Sequence, residues 1–199
     1  MTMPLTTRRA TDTDVESLVA LVNSAYRGDS SRAGWTTEAD LLDGIRIDAV
    51  RVSAAIAAHT DNVILVLEEA GEIVACVHLQ RTDSSCYVGM LTTLPTRQGS
   101  GLGRRMMEQA ETFAREEWGA AHMHMTVLAL RPELVAWYER RGYTVTSERR
   151  PFPYGDERWG LPKRDDLSFY VLRKSLTSIT GSCCGTPWRG RRMNRPLSP

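Results

Sequence analysis

The residues with the clearest chemical potential lie between Arg97 and Arg105, where Gln98-Gly99-Ser100-Gly101-Leu102-Gly103 is flanked by arginines. Glycines tolerate backbone angles and close approaches that a Cβ would block. At the start of a helix they expose unpaired N–H groups carrying partial positive charge, which forms a seat for phosphate. Arg97, Arg104 and Arg105 would add charge-assisted contacts to a polyanion. The flanks give the loop its setting. Leu91-Thr92-Thr93-Leu94 reads as the end of a strand, and Pro95, which cannot donate to a ladder, stops it. Met106, Met107, Ala110, Phe113 and Ala114 follow at helical spacing on one apolar face.

Two familiar phosphate loops are excluded. A nucleotide P-loop ends in Gly-Lys-Ser/Thr, whereas Gly103 precedes Arg104-Arg105. A dinucleotide fingerprint needs a third small residue where Met106 stands. The pattern Arg/Gln-x-x-Gly-x-Gly, from Gln98 to Gly103, instead resembles the acyl-CoA loop of the GNAT superfamily of N-acetyltransferases. A second block, Arg131-Pro132-Glu133-Leu134-Val135-Ala136-Trp137-Tyr138-Glu139-Arg140-Arg141-Gly142-Tyr143, is similar to that superfamily's helix ending in Tyr-Glu-x-x-Gly-Phe/Tyr. Pro132 suits a first helical turn, and Gly142 the left-handed cap that ends one.

The resemblance implies direct transfer of an acetyl group from acetyl-CoA to an amine. It assigns Tyr138 as the catalytic acid that protonates the departing thiolate. It assigns cofactor contacts to Leu91, Thr92, Thr93, Arg97, Gln98, Gly99, Ser100, Gly101, Leu102, Gly103 and Arg104. An oxyanion donor is expected among the backbone amides of Leu91 to Thr93. Arg131 stands where the family often has Asn, so its cofactor contact is the one departure. The implied fold is single-domain α/β: a mixed, mostly antiparallel sheet with helices on both faces and a splayed central strand pair, Leu91–Leu94 against Thr126–Leu130.

The acceptor is less legible. The strand Ser85–Leu94 holds no carboxylate to serve as base. Glu68, Glu72, Asp83, Asp29, Glu38, Asp40 or a water chain remain candidates. Specificity is expected in the segments 26–48 and 150–166. There Tyr26, Trp35, Phe152, Tyr154 and Trp159 could wall a pocket, and Arg27, Arg32 or Arg46 could meet a substrate carboxylate. Tyr26, Trp35 and Arg46 are the chosen substrate residues. A small-molecule or amino-acid-like amine is the preferred acceptor and a peptide amine the runner-up. A non-catalytic acyl-CoA-binding regulator on the same fold is the competing reading.

The remaining elements must position these groups. Leu5–Arg9 is a first strand, Thr13-Asp14-Val15-Glu16 reads as a capping box, and Val15 to Tyr26 as a helical stripe. A second helical region runs in broken form from Thr36 or Thr37 to about Ala58. Asn62–Leu67 and Ile73–Gln80 form a hairpin, followed by strand Ser85–Leu94 and helix Arg104–Trp118. Strand His122–Ala129, helix Pro132–Arg141, strand Tyr143–Glu148 and a last strand from Leu167 to about Leu172 complete the order.

The 199 residues suit one domain, 1–176, with a tail, 177–199, that has four arginines and no acid. Without the tail the body carries 21 basic against 24 acidic residues. The tail's composition predicts disorder. A net charge of +1 gives no case for nucleic acid. No apolar run approaches a membrane span and no signal-peptide core is visible, so a soluble cytoplasmic protein is expected. Cys76, Cys86, Cys183 and Cys184 lack metal-ligand spacing, and His122-x-His124 lacks a third ligand, so no metal site is expected. Many relatives pair, and a homodimer is therefore an expectation too.

Overall fold

A computed structural model describes residues 4–176. The tail 177–199 and its expected disorder lie outside the described residues.

Hydrophobic periodicity sets the elements. Strand β1 (Leu5–Arg9) leads into a 3-10 turn (Asp12–Asp14) and helix α1 (Val15–Tyr26), whose Leu18, Leu21, Val22 and Ala25 are buried. A 3-10 turn (Asp29–Ala33), a two-residue strand β2 (Leu42–Asp43) and helix α2 (Ala49–Ala57) follow. Then come β3 (Asn62–Glu69), β4 (Glu72–Thr82) and β5 (Ser85–Thr93). Helix α3 (Leu102–Trp118), β6 (His122–Leu128), α4 (Pro132–Glu139), β7 (Thr144–Pro151), a short β8 (Leu161–Pro162) and β9 (Ser168–Ser175) complete the chain.

The seven long strands form one sheet in the order β1-β3-β4-β5-β6-β9-β7. Every pair is antiparallel except β5 with β6. Alternation decides the faces. Val63, Leu65 and Leu67 pack with α3 and α4, while Ile64 and Val66 pack with α1 and α2. A third cluster, Leu42, Leu128, Phe152, Leu167 and Phe169, seals the edge where the late loops fold over β6 and β9.

Two irregularities shape the middle of the sheet. Parallel pairing of β5 with β6 covers only Ser85–Tyr87 against His122–His124, and beyond it the strands part, as the splayed pair requires. In β5, His78 pairs with Gly89 and Cys76 with Thr92, so Met90 and Leu91 together oppose Val77. This is a β-bulge, and Met90 adopts φ +52° to make it. The bulge reverses the strand's facing. Cys86 and Val88 point to α3, whereas Met90 points to α1, and Leu91 faces α3 again.

Two local expectations are corrected. The capping box sits two residues earlier, at Thr11 and Asp14, not at Thr13–Glu16. The Asp14 carboxylate accepts from the Thr11 N–H at 2.8 Å and from Arg8 at 2.7 and 2.9 Å, a partner that only the neighbouring strand supplies. The broken helix from Thr36 onward reduces to α2. The carbonyls of Trp35, Thr36 and Thr37 are taken by the Arg131 guanidinium, and those groups are then unavailable to a helical ladder.

Candidate active site

The glycine loop opens onto a cavity of about 350 Å³ between the N-terminus of α3, the end of β5 and α4. Gly99 and Gly101 have φ of +83° and +87°, a region that penalises any side chain. Nothing stands within 4 Å of where their Cβ atoms would be, so the backbone there is open to a ligand. At Gly103 a Cβ would meet Thr93 Oγ1 at 3.4 Å and the Trp137 ring at 3.5 Å. The first intrahelical bond runs from the Arg105 N–H to the Gly101 carbonyl. The amides of Leu102, Gly103 and Arg104 therefore have no intrahelical acceptor. This cradle fits a pyrophosphate.

The side chains around it differ from expectation. Gln98 lines the cavity, but its side-chain amide is committed as a strut. Its Oε1 accepts from the Trp35 N–H at 2.8 Å, its Nε2 donates to Thr36 Oγ1 at 2.8 Å, and it lies where a Cβ on Gly34 would stand. Arg97 is paired with Glu69 at 2.6 Å and Arg104 with Glu108 at 2.9 Å, each a partly solvated pair that an incoming anion must share. Arg131 does not reach the cavity. It is 7% exposed, pairs with Glu133 and holds the three carbonyls from Trp35 to Thr37. Its expected cofactor contact is corrected to a clamp on the α1–α2 connection.

Trp35 is also relocated. It lines the loop's cavity beside Trp137, ring centroids 6.1 Å apart, and not a separate substrate pocket. Trp137 and Arg141 were not singled out by sequence reasoning. Arg141 lies 3.3 Å over the Trp137 ring and donates to the Trp137 carbonyl at 2.6 Å. Their i, i+4 spacing on α4 was the available signal. The Met90 bulge had a signal as well, Gly89 inside a strand.

Tyr138 sits where two cavities meet. It is 7% exposed and its hydroxyl makes no hydrogen bond among the described residues. Burial, with smaller contributions from Tyr26 and Tyr87, raises its pKa well above the ordinary phenol value. The group thus stays protonated at neutral pH. The second cavity, about 80 Å³, lies across the splay on the α1 face and shares Tyr26, Leu91, Leu134 and Tyr138 with the first. Tyr26 donates to the Leu91 carbonyl at 2.5 Å, and burial pushes its pKa up to about 12. Arg27, Glu38 and Arg46 also line this smaller cavity.

The candidate bases are thereby sorted. Glu68 pairs with Arg8, and Asp29 and Asp40 both pair with Arg32 at the surface. Glu38 alone among the candidates lines the second cavity, and it is held by the buried Arg27. Arg32 faces outward, so of the three proposed carboxylate partners only Arg27 and Arg46 border the cavity. His122 and His124 share a face and Met123 and Met125 are buried on the other, as the spacing predicts. No group of three metal-ligating side chains occurs among the described residues. No helix among them is long and apolar enough to cross a membrane.

An α/β sheet splayed around a glycine-loop helix defines the class. Residues 60–145 match the family model described as Acetyltransferase (GNAT) domain. Solved structures share the fold. yncA of Salmonella typhimurium, determined with its cofactor acetyl-CoA, aligns at TM-score 0.65 and 19% identity over 92% of this chain and 99% of its own. The ribosomal-protein-S18-alanine N-acetyltransferase of Escherichia coli gives 0.64 and 15% over 92% and 100%. The paia N-acetyltransferase of Thermoplasma acidophilum, in complex with coenzyme A, gives 0.63 and 14% over 87% and 99%. No curated protein matches the sequence.

Proposed function

We propose that the protein transfers an acetyl group from acetyl-CoA to the amine of a small-molecule or amino-acid-like acceptor, with Tyr138 as the acid. The observation carrying this reading is the position of the Tyr138 hydroxyl, unbonded and protonated, at the junction of the two cavities.

Acetyl-CoA supplies the activated acyl group as a thioester. The amides of Leu102, Gly103 and Arg104, with Gly99 and Gly101 leaving the approach open, hold its pyrophosphate. Arg97, Arg104 and Arg141 add positive charge around the same cavity. Beyond Tyr87 the segment Met90–Thr93 has no β6 ladder partner, and backbone amides freed there would stabilise the oxygen charge that develops during attack. The acceptor amine approaches from the second cavity. Tyr138, which burial keeps in the protonated form, gives its proton to the departing thiolate, and the proton lost by the acceptor nitrogen restores the phenol. Free, buried Cys76 and Cys86 suit the cytoplasmic setting included in this reading.

Acetyl-CoA at a hundred times its dissociation constant should stabilise the fold by about 2.7 kcal/mol, with no matching shift from ATP or NAD. A shift from ATP alone would overturn the donor. Peptide amines are the second acceptor class, supported by the wider cavity of about 470 Å³ that opens beyond Tyr87 and Thr126. A non-catalytic acyl-CoA sensor is favoured by one observation, the engagement of Glu38 with Arg27 in place of a free base. Tight acetyl-CoA binding without CoA release across an amine panel would select it.

A further inference from the structure

Three arginines line the inner cavity, and they are not equivalent. Arg27 is held by Glu38 and Arg131 by Glu133. Arg46 has no acidic partner and its guanidinium makes no hydrogen bond among the described residues. It lies 5.7 Å from the centre of the Tyr26 ring, the same tyrosine whose hydroxyl binds the Leu91 carbonyl. The residue is also held in place. Asn23 of α1 accepts from the N–H groups of Arg46 and Ile47 at 2.7 and 3.3 Å and donates to the Ile47 carbonyl at 2.9 Å. The Arg51 side chain adds a bond to the Arg46 carbonyl at 3.3 Å. A charged group on so fixed a backbone gives up little freedom on binding a ligand. The neighbouring Arg27 is 5% exposed, and its Nε is buried with no hydrogen-bond partner. The cavity wall thus carries one carboxylate, Glu38, against three guanidiniums, and of these Arg46 alone has no acidic partner among the described residues.

We propose that Arg46 selects acceptors bearing a carboxylate beside the amine, binding that carboxylate while the amine points towards Tyr138. The proposal rests on the acetyl-transfer reading for its orientation, and narrows the acceptor to amino acids with a free carboxyl group. A planar guanidinium takes a carboxylate through two parallel hydrogen bonds, which a primary amide of the same shape cannot reproduce. Asn23 is a positioning residue: it touches Arg46's backbone and not the acceptor.

The test uses free glycine, alanine, methionine, phenylalanine and glutamate, each beside its primary amide. Binding to the CoA-saturated protein is measured by calorimetry, and CoA release from acetyl-CoA is followed separately. The wild type should bind at least one acid about tenfold to hundredfold more tightly than its amide, the worth of one charge-assisted pair. Arg46→Met should abolish that ratio, and Arg46→Lys should keep part of it, with acetyl-CoA binding unchanged in both. Equal handling of acids and amides, no binding of any acid, or a ratio that survives Arg46→Met overturns the proposal. Binding without CoA release would spare the proposal and count against acetyl transfer instead. Turnover of amines with no preference for acids would do the reverse.

Discussion

The proposed donor and acceptor sides of this site are built by different means. The cradle of the proposed donor cavity is one continuous stretch, residues 97–104, with its backbone amides and glycines, while Trp35, Leu91, Thr93, Trp137 and Arg141 complete the walls. The acceptor cavity is made from side chains that arrive separately, Tyr26 and Arg27 ending α1, Glu38 and Arg46 on the α1–α2 connection, and Phe152 and Trp159 on the late loops. The segment that matches the GNAT family, 60–145, contains the donor loop and Tyr138, and leaves out every one of those acceptor residues. A backbone site permits little variation in sequence, whereas a side-chain site can change its ligand one residue at a time. Two struts join the halves. Gln98 ties the donor loop to Trp35 and Thr36, and Arg131 ties the foot of α4 to the same segment.

This contrast can be broken experimentally. The largest effect should come at the junction. Tyr138→Phe should lower turnover by about 10²–10⁴-fold while leaving stabilisation by acetyl-CoA intact, which separates chemistry from donor binding. Undiminished turnover across the pH range would remove Tyr138 from the reaction. On the acceptor side, Glu38→Gln leaves the buried Arg27 charge without its partner and should destabilise the fold by about 3–5 kcal/mol in urea unfolding. Replacing both Arg27 and Glu38 with apolar residues of similar size should recover most of that loss. A smaller effect, about 1 kcal/mol, is expected from Gln98→Ala. Because Gln98 faces the α1–α2 connection, the KM for the amine should rise more than the KM for acetyl-CoA. The opposite ratio would return Gln98 to the cofactor.

The smallest effect lies outside both cavities and appears in pH. The hydrogen bonds from Arg8 hold the Asp14 carboxyl below its ordinary value of 3.8, overcoming the opposing effect of burial. A carboxylate with a lowered folded-state pKa stabilises the fold above 3.8 and loses that contribution as pH falls through the folded value. Asp14→Asn should therefore lower stability at neutral pH and flatten its decline below about pH 4, as followed by thermal unfolding.

The uneven legibility of the sequence has the same origin as the contrast. Gln98 to Gly103 and the Tyr138 block could be read because glycine spacing and helix caps are local signals, and the succession of strands along the chain followed from hydrophobic alternation. Arg27, Arg32 and Arg46 looked alike because an arginine's role depends on its partner. Arg32 meets Asp40 in solvent, Arg27 meets Glu38 in the interior and Arg46 meets no acid. Thr13-x-x-Glu16 matches the usual capping-box pattern, yet Thr11 and Asp14 form the box. Arg8, brought alongside by the neighbouring strand, decides between them. Arg131 was misplaced for a related reason, since three carbonyls more than ninety residues earlier claim its guanidinium.

The bulge in β5 carries a consequence of its own. With Met90 removed, His78 would still face Gly89, Val77 would face Leu91, and Cys76 would still face Thr92, a continuous ladder with every remaining side chain on its present side. The ladder pairing does not require the extra residue, which packs into the α1-side core and is held at a positive φ that non-glycine residues rarely adopt. Deleting that single codon should leave a straighter, well-paired strand. The fold would persist, and the proposed transfer would then show whether the gap beside β6 depends on that one residue.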